Sequence, residues 1–464
     1  MLFRAEDEDT ICALSTAPGT GGIAVIRVSG TKAFELTRQI CPFLPPKPES
    51  HRIYYGILRS EDRTEAIDEV LVSCFADGRS FTGEETTEIS CHGGQVLTTS
   101  ILKELVKVGC RTAKRGEFTY RAFMNGRLDL VQAESVLSLI ESQSKPSAKV
   151  ALRQLQGHLS SDFHRIEDDL VWVLAHLEAS IDFSTEGIEV VPSEKLQGRT
   201  LALIEHVGKL ISTYRQGRLL KDGIEVALVG RPNAGKSSLL NAFLKEDRAI
   251  VTPHAGTTRD TIEGRHTISG VPVTFVDTAG IRETENEIEK IGIERSRSAM
   301  EKADFIFYIV DLMEDAATEV DAFVSDGRAN SYLIVNKVDL DPAGSKQSIL
   351  KKKLTEKGVP EERIFWVSAA QRSGLEKIES MLSELVGSVD SDSSNVVTQA
   401  RHLELLQKIH SCLSTALGLI KRDSSPEFIA FELQESVRAI HELLGKEFNE
   451  QVIDRIFKEF CLGK

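Results

Sequence analysis

Three kinds of hydrophobic pattern follow one another along the chain. From Ile11 to about Phe118, apolar residues come in short runs punctuated by glycine, as in GGIAVIRVSG, EAIDEVLVSCFA and EETTEISCHGG, with a proline-rich break, CPFLPPKP, at 41–48. Such runs bounded by turn residues predict strands, and 1–119 is expected to be a compact α+β domain. From Tyr120 to about Leu220 the apolar residues recur every three or four positions, in LVQAESVLSLIES and IEDDLVWVLAHLEASIDF, which predicts amphipathic helices. At Gly223 a buried-strand run, IEVALVG, opens a stretch in which strands alternate with helices up to about Leu385. That is the pattern of a doubly wound parallel sheet. A polar segment, GSVDSDSSNV (387–396), then leads into more helical text ending in FCLGK, and no internal repeat is visible.

This order predicts a multidomain chain in which an α/β domain, 221–386, is inserted into one helical domain made of 120–220 and 387–464. The last ~65 residues alone would form a marginal bundle, whereas pairing with 120–220 gives a larger shared core.

Composition narrows the class. The 464 residues include 41% apolar and 27% charged side chains, with 56 Lys+Arg against 70 Asp+Glu for a net charge of −14. Wholesale disorder is excluded, because disordered chains lack that apolar fraction. The longest apolar run, near Phe305 to Val310, falls far short of the ~20 residues that span a bilayer, and the start MLFRAEDEDT is acidic where a targeting peptide would be basic. A cytoplasmic protein without a membrane span is expected. The seven cysteines (Cys12, Cys41, Cys74, Cys91, Cys110, Cys412 and Cys461) lie far apart without a C-x-x-C pair, against structural zinc or a disulfide framework. The acidic balance argues against coating nucleic acid by charge alone. One local exception is Lys103 to Arg127, with seven Lys/Arg against two acids, which reads as a solvated face or a nucleic-acid-facing patch.

Candidate chemistry concentrates after IEVALVG. Gly230-Arg-Pro-Asn233-Ala234-Gly235-Lys236-Ser237 is a complete G-x-x-x-x-G-K-[ST] P-loop, followed by the helical text Ser238-Leu-Leu-Asn. Its backbone N–H groups would wrap phosphates, Lys236 would place a charge on the β- and γ-phosphates, and Ser237 would ligate Mg²⁺. Asp277-Thr278-Ala279-Gly280 follows the strand VPVTFVD, where the Asp277 carboxylate would reach Mg²⁺ through water. In Gly256-Thr257-Thr258-Arg259-Asp260, Thr258 is the expected metal ligand that senses the γ-phosphate. Asn336-Lys337-Val338-Asp339 ends the strand SYLIVN, and the Asp339 carboxylate accepts the paired N–H donors of guanine, which adenine lacks. Ser368-Ala369-Ala370 closes the base pocket. The combination predicts GTP. Ile281 stands where Ras-type GTPases hold the glutamine that orients water, so another polar group must act.

These motifs, the GTTRD loop, the continuation DTAGIRETENEIEKIGIERS and the tail Phe460-Cys461-Leu462-Gly463-Lys464 resemble the MnmE (TrmE) family of tRNA-modification GTPases. The likeness covers essentially the whole chain, through PGTGGIAVIRVSG, SFTGEETTEISCHGG, RGEFTYRAFMNGRLDLVQAE and LEASIDF. The resemblance implies a homodimer that works with a flavin- and NADH-dependent partner, MnmG (GidA), to place an aminomethyl-type group on C5 of the wobble uridine of certain tRNAs, with 5-formyltetrahydrofolate or another tetrahydrofolate as one-carbon donor. It implies folate contacts at Arg27, Glu88 and Arg127, the last a lysine in the family, with Lys464 nearby. On their own, Arg27 and Glu88 read equally well as edge-strand charges. The family pattern further implies that Glu289 orients the hydrolytic water. It implies K⁺ held by Asn233 and the loop around Thr252, His254 and Thr257, and a catalytic thiol at Cys461, a residue that on its own reads as a small buried hydrophobe. His254 replaces a usual aliphatic residue, which a backbone carbonyl ligand tolerates. Two other readings are a ribosome-assembly GTPase switch, disfavoured by the absence of a G-x-x-G clamp after the G motifs, and a free-standing folate-dependent aminomethyltransferase.

Overall fold

A computed structural model of the chain describes residues 9–182, 192–244, 263–268, 271–277, 300–386, 395–461 and 463. These fall into two compact units, one taking in 1–140, 151–211 and 401–464, the other 141–150 and 212–400.

The first unit opens with a six-stranded sheet made of β1 (Ile11–Leu14), β2 (Gly21–Ser29), β3 (Arg52–Arg59), β4 (Ala66–Phe75), β5 (Thr86–Gly93) and β6 (Arg111–Thr112), in the order β3-β4-β5-β2-β1-β6. All pairs are antiparallel except β1 with β6. Period-2 alternation puts Ala24, Ile26, Val28, Val70, Val72 and Ile89 on one face. There they pack on α1 (Ala33–Ile40) and α2 (Gln95–Lys107) through Leu36, Ile40, Ile101 and Leu105. The opposite face is divided. At β1 and β2 it is covered by Phe81 and by Phe118 of α3 (Glu117–Met124), against Ile11 and Ala13. At β3 and β4 it leaves Ile53, Tyr55, Ile57 and Leu71 exposed. Neither the strand β3 nor either covering helix stands out in the pattern of apolar runs along the chain.

The same unit contains α4 (Leu130–Ile140) and α6 (His158–Asp182), with α12 (Ala400–Lys421), α13 (Pro426–Leu444) and α14 (Glu450–Lys458) from the C-terminal stretch; α5 (Lys145–Leu155) and α7 (Ser193–Asp222) cross the unit boundary. Helix α6 buries Leu159, Phe163, Ile166, Leu170, Val173 and Leu177, one every three or four residues. That stripe faces α13, which buries Leu433, Ile440 and Leu443. The helical text at both ends of the chain therefore builds one core. Inside it, Glu134 of α4 meets Arg401 and His402 of α12. The guanidinium Nε and one terminal nitrogen donate to the carboxylate at 2.9 and 3.0 Å, and the imidazole Nε2 donates at 2.7 Å.

The second unit holds β7 (Ile224–Val229), β8 (Glu263–Ile268), β9 (Val271–Asp277), β10 (Phe305–Asp311), β11 (Ser331–Asn336) and β12 (Ile364–Trp366), in the order β12-β11-β10-β7-β9-β8. Every pair is parallel except the edge strand β8. With helices on both faces, β10 is buried along its whole length, which explains its unbroken apolar run. One face packs Val226, Leu228, Phe307 and Ile334 on α8 (Lys236–Leu244) and α11 (Leu375–Val386). The other packs Tyr308, Val310 and Val335 on α9 (Ala317–Asp326) and α10 (Ser345–Glu356). The expected doubly wound α/β sheet is present.

Candidate functional sites

The P-loop leaves β7 at the C-terminal edge of the parallel strands, where ligands of such sheets bind. Gly230 has φ 156°, and a Cβ there would strike the Ile309 carbonyl of β10. Asn233 (φ 69°) and Gly235 (φ 99°) continue the left-handed turn that aims successive N–H groups inward. Lys236 is buried, and its Nζ donates to the carbonyls of Gly230 (2.7 Å) and Arg231 (2.8 Å). Its ammonium is thus held against the loop that would carry phosphate. Ser237 and Ser238 are exposed in the first turn of α8. Asp277 ends β9 opposite Leu228, one residue before Val229 closes β7; its backbone thus lies beside the start of the P-loop.

Asn336 ties the base pocket together. Its Nδ2 donates to the Ala234 carbonyl at 3.1 Å and its Oδ1 accepts from the Ala369 N–H at 3.0 Å. A Cβ at Gly235 would run into its amide, so the glycine is required by close approach. Ser368 is buried and accepts the Gln371 N–H, and Ala370 is exposed beside it. Asp339 lies in a 3-10 turn, Val338–Leu340, and its Oδ1 is buried without a hydrogen-bond partner. A buried acceptor left unmatched is costly; a guanine edge would satisfy it. The structure brings together Asn233, Ala234, Gly235, Lys236, Ser237, Asn336, Lys337, Asp339, Ser368 and Ala369. Thr252, His254, Thr257, Thr258, Arg259, Thr278, Ala279, Gly280, Ile281 and Glu289 lie outside the described residues.

The first unit holds the second group of candidate residues. Arg27 on β2 and Glu88 on β5 are register partners, and the guanidinium Nε and a terminal nitrogen donate to Glu88 Oε1 at 3.0 and 2.8 Å. The same guanidinium lies 5.2 Å from the Phe81 ring centroid and 5.5 Å from that of Phe118. Arg127 follows α3 and packs its stem over Gly83 (φ 82°), where a Cβ would press on it at 3.0 Å. The chain end arrives at the same strands. Phe460 packs on Phe457, the Cys461 carbonyl accepts from the Gly116 N–H at 3.5 Å, and a Cβ at Gly463 would strike the Leu14 carbonyl of β1. Leu14 pairs with Ile26, the neighbour of Arg27. Cys461 is an exposed free thiol, not the small buried hydrophobe that a cysteine near a chain end usually is; Leu462 and Lys464 lie outside the described residues.

The basic stretch Lys103 to Arg127 is not one open face. Arg121 is buried between Asp9, Glu84 and Glu117, and Arg111 pairs with Asp9 and Glu117. Hydrogen bonding from Arg111 holds the Asp9 carboxyl below its usual range. Burial pushes Glu117 up, but Arg111 and the Lys114 N–H outweigh it and hold it down. The acids that bury these arginines lie outside the stretch or look like ordinary surface charges in sequence, so only the fold reveals them. Among the described residues no cluster of three His, Cys, Asp or Glu is placed to hold a metal, and no helix is long and apolar enough to cross a membrane.

A P-loop joined by Asn336 to a base pocket with an unmatched carboxylate defines a guanine-nucleotide-hydrolysing protein of the P-loop class. Residues 10–127 match the family described as GTP-binding protein TrmE N-terminus, and 130–461 match the MnmE helical domain. The tRNA modification GTPase MnmE of Bdellovibrio bacteriovorus is 46% identical over 100% of this chain and 99% of its own length. That of Natranaerobius thermophilus is 42% identical over 98% of this chain and 100% of its own. The chain belongs to the MnmE (TrmE) family of tRNA modification GTPases. A crystal structure of Era with MgGDPNP and a 16S ribosomal RNA fragment is 27% identical over 34% of this chain and 55% of its own, with TM-score 0.29, too low a score to bear on the assignment.

Proposed function

We propose that the chain acts with the flavoprotein MnmG (GidA) to install an aminomethyl- or carboxymethylaminomethyl-type group on C5 of the wobble uridine, position 34, of certain tRNAs. A tetrahydrofolate such as 5-formyltetrahydrofolate supplies the one-carbon unit. In this reading 1–119 is the folate-binding and dimerising domain, 120–220 and 387–464 form the helical domain, and 221–386 is the G domain. The observation that carries it is the Arg27–Glu88 pair set against the rings of Phe81 and Phe118. A flat heterocycle with adjacent N–H donors suits a carboxylate beside aromatic faces, and Arg127 offers a planar fork to a carboxylate tail. The family pattern adds Lys464 to the folate contacts and a catalytic role for the Cys461 thiol, which is exposed. The exposed Ile53, Tyr55, Ile57 and Leu71 support a homodimer through the N-terminal sheet. Arg27→Ala is expected to abolish 5-formyltetrahydrofolate binding in calorimetry while leaving GTP affinity unchanged; unaltered folate binding in a folded variant would remove Arg27 from the site. Analysis of wobble nucleosides in tRNA from a deletion strain tests the reaction itself.

On the nucleotide side, Ser237, Thr258 and, through water, Asp277 hold Mg²⁺, which supplies charge neutralisation of the phosphates. Asn233 and the loop at Thr252, His254 and Thr257 hold K⁺, and Glu289 orients the attacking water. This assignment rests on the missing glutamine at Ile281 and on Asn233 standing at the crest of the P-loop. GTP turnover is expected to be several-fold faster in K⁺ than in Na⁺, and Asn233→Ala is expected to erase the difference with nucleotide binding largely intact. Equal wild-type rates in the two salts would sink the cation and turn attention to Arg259 and Arg282.

A further inference from the structure

We propose that Asp311 is a positioning residue for guanine recognition, acting through Lys337. Asp311 ends β10 and is the register partner of Asn336 at the end of β11. Its side chain is buried, yet it faces the same strand edge on which the P-loop and the base pocket open. One carboxylate oxygen accepts the Met313 N–H at 2.8 Å, and the other accepts Lys337 Nζ at 2.6 Å. The lysine is only half-buried and sits at φ 64°, a left-handed conformation that a non-glycine side chain adopts at some cost.

Three features follow from that ion pair. It drags the Lys337 side chain back from the residue after β11 to the end of β10, so its four-carbon stem spans the gap between the two strands. It fixes the backbone that enters the 3-10 turn carrying Asp339, whose Oδ1 is the unmatched buried acceptor. It also completes a set of tethers, since Asn336 already binds Ala234 and Ala369 on either side. A base that satisfies Asp339 must lie over this edge, and the anchored stem gives it an apolar floor, as long cationic side chains commonly do. Without its anchor the ammonium would move to water, because an exposed, flexible lysine gains rotamer freedom there. The pair stands next to the turn that carries Asp339, so it acts on the base whatever the phosphate number.

The test uses the full-length chain with GDP and GTP as probes. Asp311→Asn keeps an oxygen for the Met313 N–H and removes the charge; Lys337→Met keeps the stem and removes the anchor. Each is expected to raise the Kd of GDP and of GTP alike, by about tenfold, the scale of a lost charge-assisted hydrogen bond. KM for GTP should rise with it while kcat at saturation stays within about twofold, because no group that meets the γ-phosphate has changed. The double variant should be no weaker than either single one, since both break the same link. Wild-type affinity in Lys337→Met would overturn the proposal, as would additive losses or a fall in kcat with unchanged KM. Should Asp311→Asn fail to fold, Lys337→Met at a half-exposed position still decides the matter.

Discussion

Replacing Asp339 by asparagine is expected to weaken GTP binding by about 2–4 kcal/mol and to create binding of xanthosine nucleotides. The Asp339 carboxylate presents only acceptors, and guanine presents two adjacent donors, the ring N–H and the exocyclic amine. The Oδ1 is buried and has no partner within the chain, so the discrimination is made where a mismatch is most costly. A carboxamide turns an NH₂ donor toward the exocyclic amine, leaving two donors face to face. Xanthine has a carbonyl at that position, which accepts the new donor. Titration of the variant with GDP, GTP and xanthosine diphosphate measures both halves of the expectation, and wild-type GTP affinity would show that the N-K-V-D carboxylate does not read the base.

The nucleotide site was legible because its parts are encoded in contiguous residues whose backbone does the work. The glycines at 230 and 235 specify the turn, and the strands that precede Gly230, Asp277 and Asn336 put each motif at one sheet edge. What the sequence withheld are contacts set by register and by distant packing. Arg27 and Glu88 stand 61 residues apart and meet only because β2 pairs with β5 in one register; a slip by one residue would turn them to opposite faces. Asp311 reads as the polar end of a buried strand until Lys337 is seen on it. The stretch Lys103 to Arg127 reads as a basic face because the partners that bury Arg111 and Arg121, such as Asp9 and Glu84, come from other segments. Cysteine 461 was ambiguous for a similar reason: whether a thiol near a chain end is buried depends on where the tail docks, here through Phe460 and Gly463 rather than through the sulfur.

Substituting Glu134 by alanine is expected to destabilise the first unit by roughly 3–5 kcal/mol, the cost of breaking a buried charge cluster and leaving its cations unmatched. Arg401 and His402 stand 267 and 268 residues further on, and their pairing with Glu134 fastens the C-terminal helices to α4. Burial by itself would raise the Glu134 carboxyl, but the charges of Arg401 and His402 outweigh it and hold the group at about 2. In the unfolded chain the same carboxyl takes its proton near 4.5. Between those values the unfolded chain binds the proton and the folded one does not, so acid favours unfolding. The stabilisation is complete above about pH 4.5 and is lost as the pH falls toward 2, a change on the order of 3 kcal/mol. Asp9, Glu117 and Glu167 are also held down and contribute to the same acid limb, so the contribution of Glu134 must be read from a difference. The chain has two tryptophans, Trp172 in the first unit and Trp366 in the second. In a Trp366→Phe background, fluorescence therefore reports the unfolding of the first unit alone. Urea midpoints for Glu134→Gln and its parent should lie far apart at pH 7 and converge as the pH falls from 4.5 toward 2, because the parent progressively loses the charge that the variant never had. A separation that stays constant across that interval would mean that the cluster holds the helices by shape and hydrogen bonding, with the charge on Glu134 contributing nothing.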